Sequence, residues 1–124
     1  MKVVIIGGVA AGATTAARLR RLNKDVEIIM FEKGNYVSYA NCGLPYYVSG
    51  EIREKSDLLL MTPELFKERF QVDVRVGSEV KAIDPDNQTV AVYNHITEKT
   101  YQESYDQLVI ATGSVPIRLP IPGI

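Results

Sequence analysis

The sequence predicts an α/β fold in three layers, ββα: a parallel sheet built on a βαβ unit, with a three-stranded antiparallel β-meander inserted into it. Three observations lead there. A short apolar run is followed by a glycine turn, a helix rich in small residues and a second apolar run. Later the hydrophobic period changes to two, with Asp84-Pro85-Asp86-Asn87 and Asn94-His95 as turns. A final apolar run ends in Ala111-Thr112-Gly113-Ser114.

Each element has its own warrant. Lys2 to Ile6 carries Val3, Val4, Ile5 and Ile6 in unbroken succession, as a strand buried on both faces does. Gly7 and Gly8 break it. From Ala10 to Leu22 the pattern is helical, and its small residues let a helix lie close to a sheet. Arg18, Arg20, Arg21 and Lys24 gather at its end, where positive charge complements the helix dipole. Val26 to Phe31 is a second apolar strand, closed by Glu32. Strand, helix, strand crosses over into a parallel sheet. Between Ser38 and Gly50 a short helix is expected to start at Cys42 with Asn41 as its cap, and Pro45 is compatible only with its first turn. Thr62-Pro63-Glu64 opens a clearer helix, running to about Phe70. Val72, Val74 and Val76 then alternate with polar residues. Glu79 to Ile83, Thr89 to Tyr93 and Thr100 to Tyr105 form the meander, and Gln107 to Ile110 is a last buried strand. Three of the six prolines, Pro116, Pro120 and Pro122, mark residues 116–124 as an exit linker.

Composition bounds the function. At 124 residues, 46% hydrophobic and 23% charged, the chain is one ordinary globular domain. The net charge of −1, from 14 basic and 15 acidic side chains, lacks the basic excess of a nucleic-acid surface. No apolar run approaches the ~18 residues of a membrane span, and Met1-Lys2 leads directly into a strand rather than a signal peptide. The single cysteine, Cys42, excludes an internal disulfide framework and a multi-thiolate metal site, and suits a reducing, cytoplasmic setting.

Two features carry chemistry. The three glycine places of a G-x-G-x-x-G dinucleotide fingerprint fall on Gly7, Val9 and Gly12, so the middle one is lost, while Gly8 and Ala11 keep the turn slim. The helix start offers free N–H groups to a pyrophosphate. Glu32, about twenty residues after Gly12, stands where a carboxylate accepts from ribose hydroxyls. The alternative is a plain glycine-rich turn with a surface glutamate. The second feature is Cys42. At a helix N-terminus, between Asn41 and Gly43, the partial positive charge favours a thiolate, and Gly43 is expected to leave room for a flat ligand or bulky substrate. The alternative is a structural cysteine acting as a small buried hydrophobe. With Tyr47 five residues on, no second thiol is at hand, so the other sulfur comes from the substrate or Cys42 cycles through a sulfenic acid.

Gly7-Gly8-Val9-Ala10-Ala11-Gly12-Ala13-Thr14, Phe31-Glu32-Lys33, Ser38-Tyr39-Ala40-Asn41-Cys42-Gly43-Leu44-Pro45-Tyr46-Tyr47 and Glu103-Ser104-Tyr105-Asp106 leading into Ala111-Thr112-Gly113 resemble the coenzyme A-disulfide reductase family over the whole chain. These are single-cysteine, FAD-dependent pyridine nucleotide-disulfide oxidoreductases, and they include NADH oxidases, NADH peroxidases and CoA-persulfide or polysulfide reductases. The resemblance implies a Rossmann-like FAD-binding domain. It puts Gly7, Gly8, Val9, Ala10, Ala11 and Gly12 over the FAD pyrophosphate, and Glu32, with Lys33 beside it, on the adenosine ribose. Val80 becomes a backbone contact to the adenine, and Ala111, Thr112 and Gly113 a second FAD motif. Cys42 becomes the redox-active nucleophile. Thr14, Arg18, Arg21, Ser38 and Asn41 become contacts to coenzyme A, whose phosphates guanidinium groups can pair. For the arginines the alternative is a solvated basic helix end.

The implied reaction passes electrons from NAD(P)H through FAD to a mixed disulfide between Cys42 and CoA, with CoA disulfide, CoA persulfide or polysulfide as substrate. An NADH oxidase or peroxidase of the same family is one alternative; peroxide-reducing members carry histidine where Ala10 stands, which counts against its peroxidase half, and His95 is expected on the surface of a meander turn. A stand-alone nucleotide-binding module with a structural Cys42 is the other alternative. On the resemblance, residues 1–115 are the N-terminal part of the FAD domain and 116–124 lead toward an NAD(P)H domain. The chain alone is then expected to be catalytically silent and to bind FAD weakly if at all, and the full-length enzyme a cytoplasmic homodimer without nucleic-acid or membrane partners and without a metal.

Overall fold

The structure is a computed structural model, and it describes residues 1–123. In chain order the elements are β1 (Lys2–Ile6), α1 (Ala10–Leu22), β2 (Glu27–Phe31), α2 (Leu44–Val48), α3 (Pro63–Phe70), β3 (Val72–Arg75), β4 (Ser78–Asp84), β5 (Thr89–Asn94), β6 (Lys99–Ser104) and β7 (Gln107–Ile110). Short 3-10 turns occupy Asn41–Gly43 and Lys55–Leu58.

The parallel sheet has the order β3-β2-β1-β7, and β4-β5-β6 form a separate antiparallel sheet. β1 is the inner strand against which β2 and β7 pair, from Val3 opposite Ile28 and Gln107 to Ile6 opposite Phe31 and Ile110. Its unbroken apolar run follows from this position. Val3 and Ile5 pack with Ala13 and Ala16 of α1 and Phe66 of α3. Val4 and Ile6 point the other way, onto Val90 and Val92 of β5 and onto Tyr105. Helices, parallel sheet and meander are therefore the three layers that the sequence predicts.

The alternating Val72 to Val76 segment contributes β3, which runs parallel beside β2. A parallel neighbour needs a crossover, and α3 lies within it. Thr62 caps α3, its hydroxyl accepting from the Leu65 N–H at 3.3 Å, with Pro63 in the first turn. Gln71, left-handed at φ 48°, ends it.

Arg20 behaves differently from the rest of the basic helix end. It is buried, and its guanidinium donates to the carbonyls of Phe70 (2.7 Å), Gln71 (3.1 Å), Asn23 (3.4 Å) and Lys24. It thus ties the end of α1 to the end of α3. Arg18 and Arg21 stay exposed.

A charged cluster joins the two sheets. Arg75 of β3 donates to Glu103 at 2.7 Å, to Asp73 at 2.9 Å and to the Tyr101 hydroxyl at 3.3 Å, and Lys2 pairs with the same Glu103. Burial works against ionisation of Glu103, but the hydrogen bonds from Lys2 and Arg75 outweigh it and hold the carboxyl below its usual range. Burial also opposes the Arg75 charge, and Tyr101, Glu103 and Asp73 more than offset it.

Among the described residues no helix is long and apolar enough to cross a membrane. The tail that the sequence sets apart at 116–124 is exposed through residue 123, with Ile117 88% exposed. Its last residue, Ile124, lies outside the described residues.

Candidate functional site

The carboxyl ends of β1, β2 and β7 meet at one edge of the sheet. Since β2 and β7 lead away from β1 in opposite directions, a crevice opens there, the place where open α/β sheets take ligands. Gly7 makes the turn out of β1 at φ 101°, and an added Cβ would come within 2.2 Å of the Ala111 carbonyl oxygen. A Cβ on Gly12 would come within 1.8 Å of the Gly7 carbonyl oxygen. Both positions therefore require glycine, and the close approach of loop, helix and β7 depends on them. At the middle fingerprint place stands Val9, the residue before α1. It offers no side-chain cap, and the first turn holds no acidic residue. The N–H groups at the start of α1 are thus left for a ligand, and the helix end favours an anion.

Glu32, just past β2, is held from two sides. The Gly8 N–H donates to its Oε2 and the Gly34 N–H to its Oε1, both at 2.8 Å. Each oxygen keeps a lone pair for a ligand hydroxyl, so the carboxylate both fixes the glycine loop and faces the crevice.

The groove above these strand ends has a volume of about 550 Å³. Gly7, Gly8, Val9, Ala10 and Ala11 line it from the loop; Glu32 and Lys33 from β2; Ala111, Thr112 and Gly113 from the end of β7. A smaller pocket of about 190 Å³ continues it past Glu32, Lys33 and Thr112 to Ser78, Glu79 and Val80 of β4. Each predicted nucleotide residue except Gly12, which packs beneath the loop, thus lines one continuous depression. Glu79 at the pocket's edge accepts from Lys81 and meets His95, and these partners, Lys81 first, hold its carboxyl below the usual range. His95 is exposed in the β5–β6 turn, as the sequence predicts.

Sequence reasoning missed Ser78 and Glu79 in the smaller pocket, and Asn35, Tyr36, Tyr39, Ser114 and Val115 in the groove. Tyrosines in a polar segment after β2 were the available signal for part of that wall.

The Cys42 segment corrects two expectations. No helix starts at Cys42 under an Asn41 cap: Asn41, Cys42 and Gly43 form a single 3-10 turn without a side-chain cap, and α2 begins at Leu44 with Pro45 in its first turn. The turn runs directly into α2, so Cys42 lies in the first turn of a short helical run, one residue from the expected start, and Asn41 lines the groove rather than capping the helix. Gly43 leaves no room for a ligand either. It is buried, and a Cβ there would meet Leu58 Cδ2 at 2.6 Å, so it serves packing. Cys42 itself is exposed. Ser38, left-handed at φ 49°, ties this segment to the glycine loop, its N–H donating to the Gly8 carbonyl at 2.8 Å.

Thr14, Arg18 and Arg21 are spaced to share one exposed face of α1 and do not line the groove. Arg21 lies over the Phe70 ring at 6.0 Å.

Comparison with known proteins places this arrangement. The coenzyme A disulfide reductase of Staphylococcus epidermidis (strain ATCC 12228 / FDA PCI 1200) is 45% identical over 118 residues, which is 95% of this chain and 27% of that protein. The crystal structure of reduced CoADR-RHD from Bacillus anthracis superposes with a TM-score of 0.95 at 51% identity, over 98% of this chain and 22% of that one. The NAD-dependent persulfide reductase from A. fulgidus superposes with a TM-score of 0.94 at 40% identity, over 98% and 22%. The chain therefore spans about a quarter of the length of the curated relatives it matches. The family described as pyridine nucleotide-disulphide oxidoreductase matches residues 1–124. Matched by that family over its whole length and superposing closely on solved relatives, this chain belongs to the pyridine nucleotide-disulphide oxidoreductase family.

Proposed function

We propose that this chain is the FAD-binding, cysteine-bearing part of an NAD(P)H-dependent flavoprotein that reduces the disulfide or persulfide of coenzyme A. The observation that carries the reading is the groove itself: an uncapped helix start and a glycine loop at its centre, and a backbone-anchored Glu32 at one side. These residues suit the adenosine diphosphate half of a dinucleotide. The smaller pocket beside Val80 suits its base. Similarity to coenzyme A disulfide reductases and to a persulfide reductase supports the choice of substrate.

On this reading the Cys42 thiolate attacks a sulfur of the substrate disulfide. The Sγ–S bond forms, the substrate S–S bond breaks, and one thiolate of coenzyme A leaves. FAD, which the glycine loop, Glu32 and Ala111-Thr112-Gly113 would hold, would supply the electron pair for reducing the mixed disulfide at Cys42. The exposure of Cys42 lets a bulky substrate reach it. Thr14, Arg18 and Arg21 along α1, with Ser38 and Asn41, hold the substrate, the guanidiniums pairing its phosphates. Residues 1–115 belong to the FAD domain and 116–124 lead out of it. The remaining domains supply the nicotinamide site and the homodimer contact.

Two measurements test this. Incubation of the full-length protein with FAD followed by desalting leaves flavin absorbance on it. Incubation with CoA disulfide adds one coenzyme A thiol by mass, and Cys42→Ser abolishes that addition while flavin uptake stays unchanged. Addition of coenzyme A to the Cys42→Ser chain removes the nucleophile assignment.

A further inference from the structure

Tyr36 and Lys55 meet at the rim of the groove. Tyr36, in the segment after β2, lines the groove. Lys55 opens the 3-10 turn Lys55–Leu58. Its ammonium stands 4.8 Å from the centre of the Tyr36 ring and 3.4 Å from the Tyr36 hydroxyl. Among the described residues Lys55 forms no salt bridge, although Glu54 and Asp57 are close in sequence. The ring face attracts the cation without neutralising it. Two separate loops thus bring an uncompensated positive charge to the edge of a depression whose own side chains include one cation, Lys33, and one anion, Glu32.

We propose that Lys55, seated on Tyr36, is a further anion-binding group of this groove, and that it pairs with the pyrophosphate of an adenosine-containing ligand. The inference rests on the reading of the groove as a dinucleotide seat. A pyrophosphate diester carries two negative charges. Backbone N–H groups at the start of α1 satisfy its oxygens with partial charges only, so a full cation at the rim completes the neutralisation. Tyr36 is a positioning residue: its ring holds the long lysine side chain in place and lowers the entropy lost on pairing.

FAD and coenzyme A both carry such a pyrophosphate, and adenosine carries none. Equilibrium titration of the full-length apoprotein with each, at low and at physiological ionic strength, separates the sources. Lys55→Met keeps the apolar stem and removes the charge. The expected result is about a three- to tenfold weaker affinity for FAD, a shallower dependence on salt, and unchanged adenosine binding. Tyr36→Phe keeps the ring and the affinity, and Tyr36→Leu loses part of it. Weakening confined to the coenzyme A titration assigns the charge to the substrate's pyrophosphate instead of the dinucleotide's. Equal affinity of Lys55→Met and the parent chain for FAD and coenzyme A overturns the proposal, as does an equal loss for adenosine. A full-length parent protein that takes up none of the three overturns the groove assignment and this one with it.

Discussion

Glu32 sits at the junction of two demands. Its carboxylate accepts from Gly8 and from Gly34 at 2.8 Å each, so it stiffens the glycine loop before any ligand arrives. It also leaves lone pairs toward the groove. Glu32→Gln removes the charge and one of the two acceptor oxygens at nearly constant shape. One backbone N–H then loses its partner, at a cost of about 1 kcal/mol. We expect FAD affinity to fall about tenfold or more, read by flavin fluorescence, while urea unfolding shifts only modestly. The position of Glu32 was legible in the sequence, because a carboxylate closing the second strand has few other reasons to lie there. Its double anchorage was not legible, because Gly34 reaches it only through the bend after β2.

At the scale of elements, Arg20 links α1 to α3. Four backbone carbonyls from two helix ends converge on one guanidinium, which satisfies acceptors that a helix otherwise leaves open. Arg20→Met fills similar space but strands those carbonyls. The expected loss is about 2–4 kcal/mol by urea denaturation. Arg18→Met, on the exposed face of the same helix, is expected to stay within about 0.5 kcal/mol. In the sequence the two arginines look alike, two positions apart in a basic helix end. Only the approach of α3, some fifty residues later, makes one of them a core residue. The helices and strands themselves were legible to within a residue or two, since apolar period, Thr62-Pro63 and the turn residues are local signals. The role of β3 was not, because four alternating residues cannot state which strand they will pair with.

For the whole molecule, the contact between the two sheets is the feature that responds to pH. Val90, Val92 and Tyr105 bury the apolar part, and Glu103 bridges Lys2 and Arg75 across the seam. Its folded carboxyl titrates below its unfolded value, so its contribution is present above about pH 4.3 and disappears as pH falls through the lower, folded value. Glu103→Gln is expected to cost about 1 kcal/mol at neutral pH. Urea unfolding curves of parent and variant should then converge in acid; a gap that persists at low pH would show that Glu103 acts through packing alone. The same seam matters to the groove, since Val80 of β4 belongs to both.

By itself the sequence determined the βαβ unit, the meander, the glycine loop with its carboxylate, and the family resemblance. These rest on period, glycine and turn chemistry within short windows. Tertiary structure alone decided three things. It buried Arg20 between two helix ends. It used Gly43 to pack against Leu58 rather than to admit a ligand. It gathered Tyr36 and Lys55 at the rim of the groove. The physical reason is common to all three: burial and charge pairing depend on which distant segment arrives, and a local pattern carries no record of its partner.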